Sequence, residues 1–192
     1  MLRSLPVSHP EELVAIETTD GNEEFTNPIW EQIRDRQDVF SGAFAYASTT
    51  LDLSNGGEAR RGDGNLVSGD FFSVLGVRPA AGRLLANSDD RRGCAPLAVL
   101  SAGFAESEFG GAEAAVGKSL SLNGRAFQVI GVADRRFTGI NIGKRNQIYI
   151  PLCSVAVLDG DPGRLDGRST WYLHLVGRPT PGLSTQQIGV RL

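Results

Sequence analysis

The chain is 192 residues long, 41% hydrophobic and 21% charged, which suits one folded domain or two small lobes with a real core. Its net charge of −3 excludes a typical nucleic-acid binder, which needs a basic face to displace counterions from phosphates. Its 24 glycines predict many turns and short elements rather than long helices.

In chain order, Glu12 to Glu17 predicts a first strand. Asn27-Pro28 predicts a helix start, with Asn27 as the cap and Pro28 at the first helical position. Ile29 and Ile33 share an apolar face beside Trp30, and the helix fades near Gln37. Phe40 to Leu53 is apolar and β-prone, with Leu51 and Leu53 on one side. Asn55-Gly56-Gly57 marks a turn before a second strand, Ala59 to Val67. Ser68 opens a short helix over Asp70 to Leu75, which Gly76 ends in the left-handed conformation. Pro79 to Arg92 reads as loop with one turn of structure. Leu97 to Leu100 is a short buried strand, and Ser101 caps a helix that Gly110-Gly111 stops. Ser119 to Leu122, Asn123-Gly124 and Arg125 to Val132 form a β-hairpin, because Asn-Gly suits a turn with two positive φ angles. Asn146 to Pro151 is another strand, Gly160 to Arg168 is turn-rich, and Thr170 to Val176 is the last strand. The pattern is α+β with mostly antiparallel neighbours.

The search for chemistry finds little. Gly111 to Ser119 superficially matches a phosphate-binding loop. That motif needs four residues between its glycines and a helix after its Lys-Ser; here five residues separate Gly111 from Gly117 and a strand follows. His9 and His174 have no catalytic neighbours, and His174 alternates with Tyr172 and Val176 as a packed or surface strand residue. Asp89-Asp90 reads as a solvated loop pair or a helix start. Arg60-Arg61, Arg91-Arg92 and Arg135-Arg136 read as solvated surface. Cys94 and Cys153 allow one intramolecular disulfide, but free or buried thiols are the simpler reading. No catalytic, cofactor-binding or metal-binding residue is assigned.

No apolar run approaches the roughly 18 residues that span a bilayer, and no signal peptide is visible. Yet Ser184-Thr185-Gln186-Gln187 reads as a capping box after the turn Pro181-Gly182, with Leu183 and Ile188 as a hydrophobic staple. The sequence stops within two turns, as a domain cut from a longer protein would.

The run from Asn65 to Arg83, NLVSGDFFSVLGVRPAAGR, resembles the signature of the MacB-like periplasmic core domain of FtsX-type ABC transporter permeases. Further pieces resemble it in order: Ala98 to Ser101, Phe109-Gly110-Gly111, Val116-Gly117-Lys118, Leu122 to Arg125, Phe127 to Val132, Phe137-Thr138-Gly139 and Ile150-Pro151-Leu152. The flanks Leu2 to Val7 and Gly177-Arg178 with Pro181 to Ser184 are similar to the stretches next to the membrane helices. The chain is also similar to the large permeases of soil bacteria such as acidobacteria. The resemblance implies a periplasmic domain between the first two membrane helices of its permease. It implies a porter-like lobe, residues 1–77 and 152–192, and a smaller, mainly β lobe inserted over about 78–151. It implies no enzyme activity and no cofactor in the domain itself. The implied partners are the permease's own transmembrane helices and an ABC ATPase subunit or domain acting across the membrane. A second permease copy and a periplasmic adaptor or cell-wall hydrolase complete that set. Self-association of this segment alone, without stalk helices, is not expected. The rival readings are a free-standing periplasmic ligand- or peptide-binding protein and a hydrolase with an unfamiliar site.

Overall fold

The computed structural model describes residues 7–54, 60–140 and 146–183. The turn expected at 55–57, Ala59 at the start of the second strand, the flank before Val7 and the capping box from Ser184 lie outside the described residues.

The strands are β1 (Val14–Ile16), β2 (Phe40–Asp52), β3 (Arg61–Val67), β4 (Pro79–Gly82), β5 (Leu97–Leu100), β6 (Ser119–Leu122), β7 (Arg125–Ala133), β8 (Ile148–Pro151) and β9 (His174–Pro179). They form one mixed sheet in the order β1-β9-β2-β3-β8-β5-β7-β4, with β6 also paired to β7. Only the β3–β8 and β5–β7 pairs are parallel among the described strands. Strands β4 to β8 come from the middle of the chain and make one side of the sheet. Strands β1, β2, β3 and β9 make the other, and β3–β8 joins them.

Both faces of the sheet are covered, so the strands alternate between two apolar clusters. One cluster takes Leu51, Leu66, Leu100, Phe127 and Ile150 from the sheet and receives Trp30 of helix α1 (Asn27–Arg36) and Phe104 of α3 (Ala102–Phe109). Ala115 of α4 (Ala112–Ala115) and Val155 of α5 (Val155–Asp159) join it. The other cluster takes Phe44, Val67, Val99 and Tyr149 and receives Phe71, Phe72 and Leu75 of α2 (Phe71–Leu75). Its rings meet edge-on, with Phe71 and Phe72 centroids 5.0 Å apart and Phe72 and Tyr149 5.3 Å apart.

Several boundaries differ from the sequence reading, each for a physical reason. The cap of α1 is Thr26, whose hydroxyl accepts from Ile29 N, while Asn27 is buried and donates to the Leu165 carbonyl at 3.1 Å. Ser68 is not a helix cap: its hydroxyl accepts from Ala45 N at 3.0 Å and ties β3 to β2. The expected loop after Pro79 contains edge strand β4, because its backbone pairs with β7. The last strand begins at His174, since Leu173 pairs with Phe25 instead. The hairpin, the Ser101 cap and the left-handed Gly76 (φ 68°) stand as read, and Asn123 and Gly124 have φ of 50° and 73°.

Candidate functional site

Two ends of the sheet and one seam hold the chain's polar constellations. The first is the joint where the described chain begins and ends. Strand β1 lies antiparallel on β9, with Val14 opposite Gly177. The segment before β1 docks on α2: Ser8 N donates to the Leu75 carbonyl at 2.9 Å, and the Ser8 hydroxyl fills the space beside Gly76. A Cβ at Gly76 would lie 2.2 Å from that hydroxyl, so glycine is needed there for space as well as for φ.

Arg178 locks this joint. Its Nη1 donates to Glu12 Oε2 at 2.6 Å and to the His9 carbonyl at 3.2 Å. Its Nη2 donates to the Ser8 carbonyl at 2.7 Å and to the Val74 carbonyl at 3.1 Å. One guanidinium thus binds the incoming segment, the end of α2 and the outgoing strand, and its side chain is only 18% exposed. Two edges of one planar group reach four acceptors, a geometry that a lysine ammonium cannot copy. The sequence reading touched Arg178 only as part of a flank. The signal that could have found it is a charged residue directly after the mostly apolar strand run Leu173 to Gly177.

The opposite end is the hairpin tip. Asn123 N donates to the Asp52 carbonyl at 2.8 Å, and Asp52 N donates to Asn123 Oδ1 at 2.9 Å. The turn is therefore fastened to the far end of β2, about 40 Å along that 13-residue strand from Phe40.

The seam corrects two sequence readings. Cys94 and Cys153 are not free thiols; they form a disulfide with Cα atoms 6.1 Å apart. Sequence spacing could not show that the loop before β5 folds back onto the segment after β8. Asp90 is not a solvated loop residue. It is half-buried, accepting from Cys153 N at 3.0 Å and Gly69 N at 3.3 Å. Burial pushes its carboxyl above the ordinary carboxylate range, against those two amide hydrogen bonds. Asp89 instead pairs with Arg83, which holds it below that range. Arg92 bridges Glu31 at 3.0 Å and Asp166 at 2.6 Å, which raises its pKa further. Arg60 pairs with Glu108, and Arg136 with Asp134 at 3.0 Å. These arginines are therefore tied to carboxylates.

No catalytic constellation forms among the described residues. His174 packs its ring on Tyr46, 5.4 Å between centroids. The phosphate-loop lookalike is the short helix α4 followed by β6. A groove of about 350 Å³ beside β2 and β9 carries Arg164 over the Tyr172 ring at 5.6 Å; burial pushes the Tyr172 phenol up to about 12. His9, Glu11 and Glu12 bring metal-type ligand atoms within 4.8 Å of one another. All three are exposed and Glu12 is already held by Arg178, so no metal is assigned.

The fold and the joint define a mixed-sheet domain whose first and last described strands, β1 and β9, lie side by side. Among the described residues, no helix is long and apolar enough to cross a membrane. The chain belongs to the family of the MacB-like periplasmic core domain, whose profile it matches over residues 3–192. The periplasmic region of MacB from Actinobacillus actinomycetemcomitans has the same fold, with a TM-score of 0.65 and 16% identity over 94% of this chain and 82% of that one. The extracellular domain of the noncanonic ABC-type transporter YknZ from Gram-positive bacteria gives 0.59 and 16%, covering 93% and 86%. A domain of a putative permease from Porphyromonas gingivalis gives 0.63 and 15%, covering 92% and 74%. A search of curated proteins returns no significant match. The family is the periplasmic core domain of MacB-like ABC transporter permeases, and the similar structures are periplasmic or extracellular regions of such proteins.

Proposed function

We propose that this chain is the non-catalytic extracytoplasmic domain of an ABC-type export or mechanotransmission permease, and that it relays movement to a substrate or partner. The observation that carries this reading is the Arg178 joint. Incoming and outgoing segments are hydrogen-bonded neighbours, and one guanidinium fixes both to α2. A displacement of membrane helices attached at these ends therefore moves the sheet as a unit, out to the hairpin tip. The two-lobe division, 1–77 with 152–192 and 78–151, belongs to the same proposal, with the disulfide stapling one part to the other. So do the partners: the permease's own helices, an ABC ATPase across the membrane, a second permease copy and a periplasmic adaptor.

The test uses the full parent permease with its ATPase in nanodiscs. Fluorophores on a membrane helix and at Arg125, beside the hairpin tip, report their separation with and without ATP. An ATP-dependent change that Arg178→Ala abolishes while ATP hydrolysis continues is expected, and Arg178→Lys should restore it poorly. A parent protein without flanking membrane helices, or with no ATP-dependent movement of the domain, refutes the reading.

A further inference from the structure

The Cys94–Cys153 bond has to be made by an oxidation, and the fold treats its two sulfurs unequally. Cys94 lies in the loop before β5, half-buried, with Arg91, Arg92, Gly93 and Ala95 exposed on either side of it. Cys153 sits in the buried run from Pro151 to Val155 and is only 5% exposed. A thiol or disulfide arriving from solvent therefore meets Cys94 first.

The polar groups around the two sulfurs differ in the same sense. Ser154 Oγ lies 3.7 Å from Cys94 Sγ, and once the bond is open a hydroxyl there can donate to a Cys94 thiolate. Cys153 Sγ lies 3.5 Å from the Asp89 carbonyl oxygen, which only accepts. The Cys153 amide donates to the Asp90 carboxylate at 3.0 Å, and a carboxylate so close opposes a second negative charge. Both neighbours suit an S–H at Cys153 and not a thiolate. Burial acts in the same direction.

We propose that Cys94 is the entry site for a dithiol oxidant of the extracytoplasmic compartment, which forms its mixed disulfide there, and that Cys153 is the resolving thiol. The Cys94 thiolate attacks one sulfur of the oxidant's disulfide, and the oxidant's other sulfur leaves as a thiolate. Cys153 then loses its proton and attacks Cys94 Sγ, which expels the oxidant's remaining sulfur. Two electrons pass to the oxidant, and the two protons lost by the cysteines end on its two thiols. Run backwards, the path makes Cys94 Sγ the atom that a reductant attacks, with Cys153 leaving. A thiolate leaving beside a carbonyl and a carboxylate is disfavoured, so the bond resists reduction once made. Disulfides persist in oxidising compartments, in keeping with the periplasmic region that this chain is similar to. The step needs no relayed movement, so its failure leaves the permease reading intact, and the reverse.

The probe is glutathione disulfide, with the adduct located by peptide mass spectrometry after an acid quench. Reduced Cys153→Ser, which keeps Cys94, should take up glutathione at least about tenfold faster than reduced Cys94→Ser, since the rate follows access and thiolate fraction. In concentrated urea the two rates should converge, because the asymmetry belongs to the fold. Ser154→Ala added to Cys153→Ser should slow uptake roughly threefold, one hydrogen bond partly offset by a more nucleophilic sulfur. Circular dichroism checks that each single variant is folded. A second arm needs no variant. The folded, bonded 192-residue chain meets reduced glutathione and is quenched at once with a maleimide; glutathione should appear on Cys94 and maleimide on Cys153. Glutathione on Cys153 in this arm, equal uptake by the two folded single variants, or no adduct on Cys94 by either route overturns the proposal.

Discussion

Removing the Cys94–Cys153 disulfide is the perturbation whose size the structure fixes best. The two residues are 59 positions apart. Closing a loop of that length takes about 14 cal/mol/K of entropy from the unfolded chain, or about 4 kcal/mol at 25 °C. The folded state shows why the bond matters beyond loop closure. Cys153 is buried, its amide is bound by Asp90, and its partner lies in the loop that also carries the Arg92 bridges to Glu31 and Asp166. Cys94→Ser with Cys153→Ser should therefore lower the midpoint of thermal unfolding by about 8–16 °C, given about 2–4 °C per kcal/mol for a chain of this size. The urea m-value should rise, because a chain without the bond exposes more surface on unfolding. A reductant should reproduce the shift in the parent chain and leave the double variant unmoved. Thiol alkylation of the folded, unreduced chain should modify neither cysteine. A shift below about 3 °C by both routes, or rapid alkylation without reductant, refutes the staple.

Two further outcomes follow from single positions. A Cβ at Gly131 would lie 2.0 Å from the Arg83 carbonyl oxygen, and both atoms are backbone-fixed across the β4–β7 pair. Gly131→Ala should therefore cost about 3 kcal/mol, the upper end for overpacking, and shift the urea midpoint accordingly. Asp134 gives the pH dependence: hydrogen bonds from the Arg136 side chain, then from its amide, pull the carboxyl from 3.8 down to about 2. A lowered folded-state pKa means stabilisation present above pH 3.8 and lost as the pH falls through about 2. Carboxyl-carbon NMR should find Asp134 titrating near 2, and Arg136→Ala should return it toward 3.8.

What the sequence disclosed was local, and what it concealed was pairwise over distance. The hairpin was legible because Asn123-Gly124 carries its own turn preference, and both residues have the positive φ that preference demands. Ser101 was legible as a cap because its partner, Phe104 N, is three residues away. Thr26 was missed because Asn27 and Pro28 make an equally good cap one position later, and only the burial of Asn27 against Leu165 selects the register. Strand β4 was invisible because its first residue is a proline and three of its four residues are exposed; only β7 makes it a strand. Arg178, Asp90 and the disulfide each join segments more than 20 residues apart. Composition and periodicity carry no information about such meetings.

The recognisable run from Asn65 to Arg83 shows why a family signature can be specific without containing chemistry. Ser68 exchanges two hydrogen bonds with Ala45, N to O at 2.9 Å and N to Oγ at 3.0 Å, and so fixes how β3 leaves β2. Gly69 N reaches Asp90, beside the disulfide. Phe71 and Phe72 fill one face of the sheet, and Gly76 receives Ser8 of the incoming segment. The Arg78 carbonyl anchors the turn after β7. Gly82, at φ 62°, passes so near β7 that a Cβ would lie 2.3 Å from the Ile130 carbonyl. Within nineteen consecutive positions, contacts thus reach β2, β7, the disulfide loop and the segment that leads into β1. Each contact constrains one side chain or one missing side chain, and none requires a reactive group. The run is held by geometry at each of these contacts. That geometry suits the relay proposed above, from the β1–β9 joint to the hairpin tip.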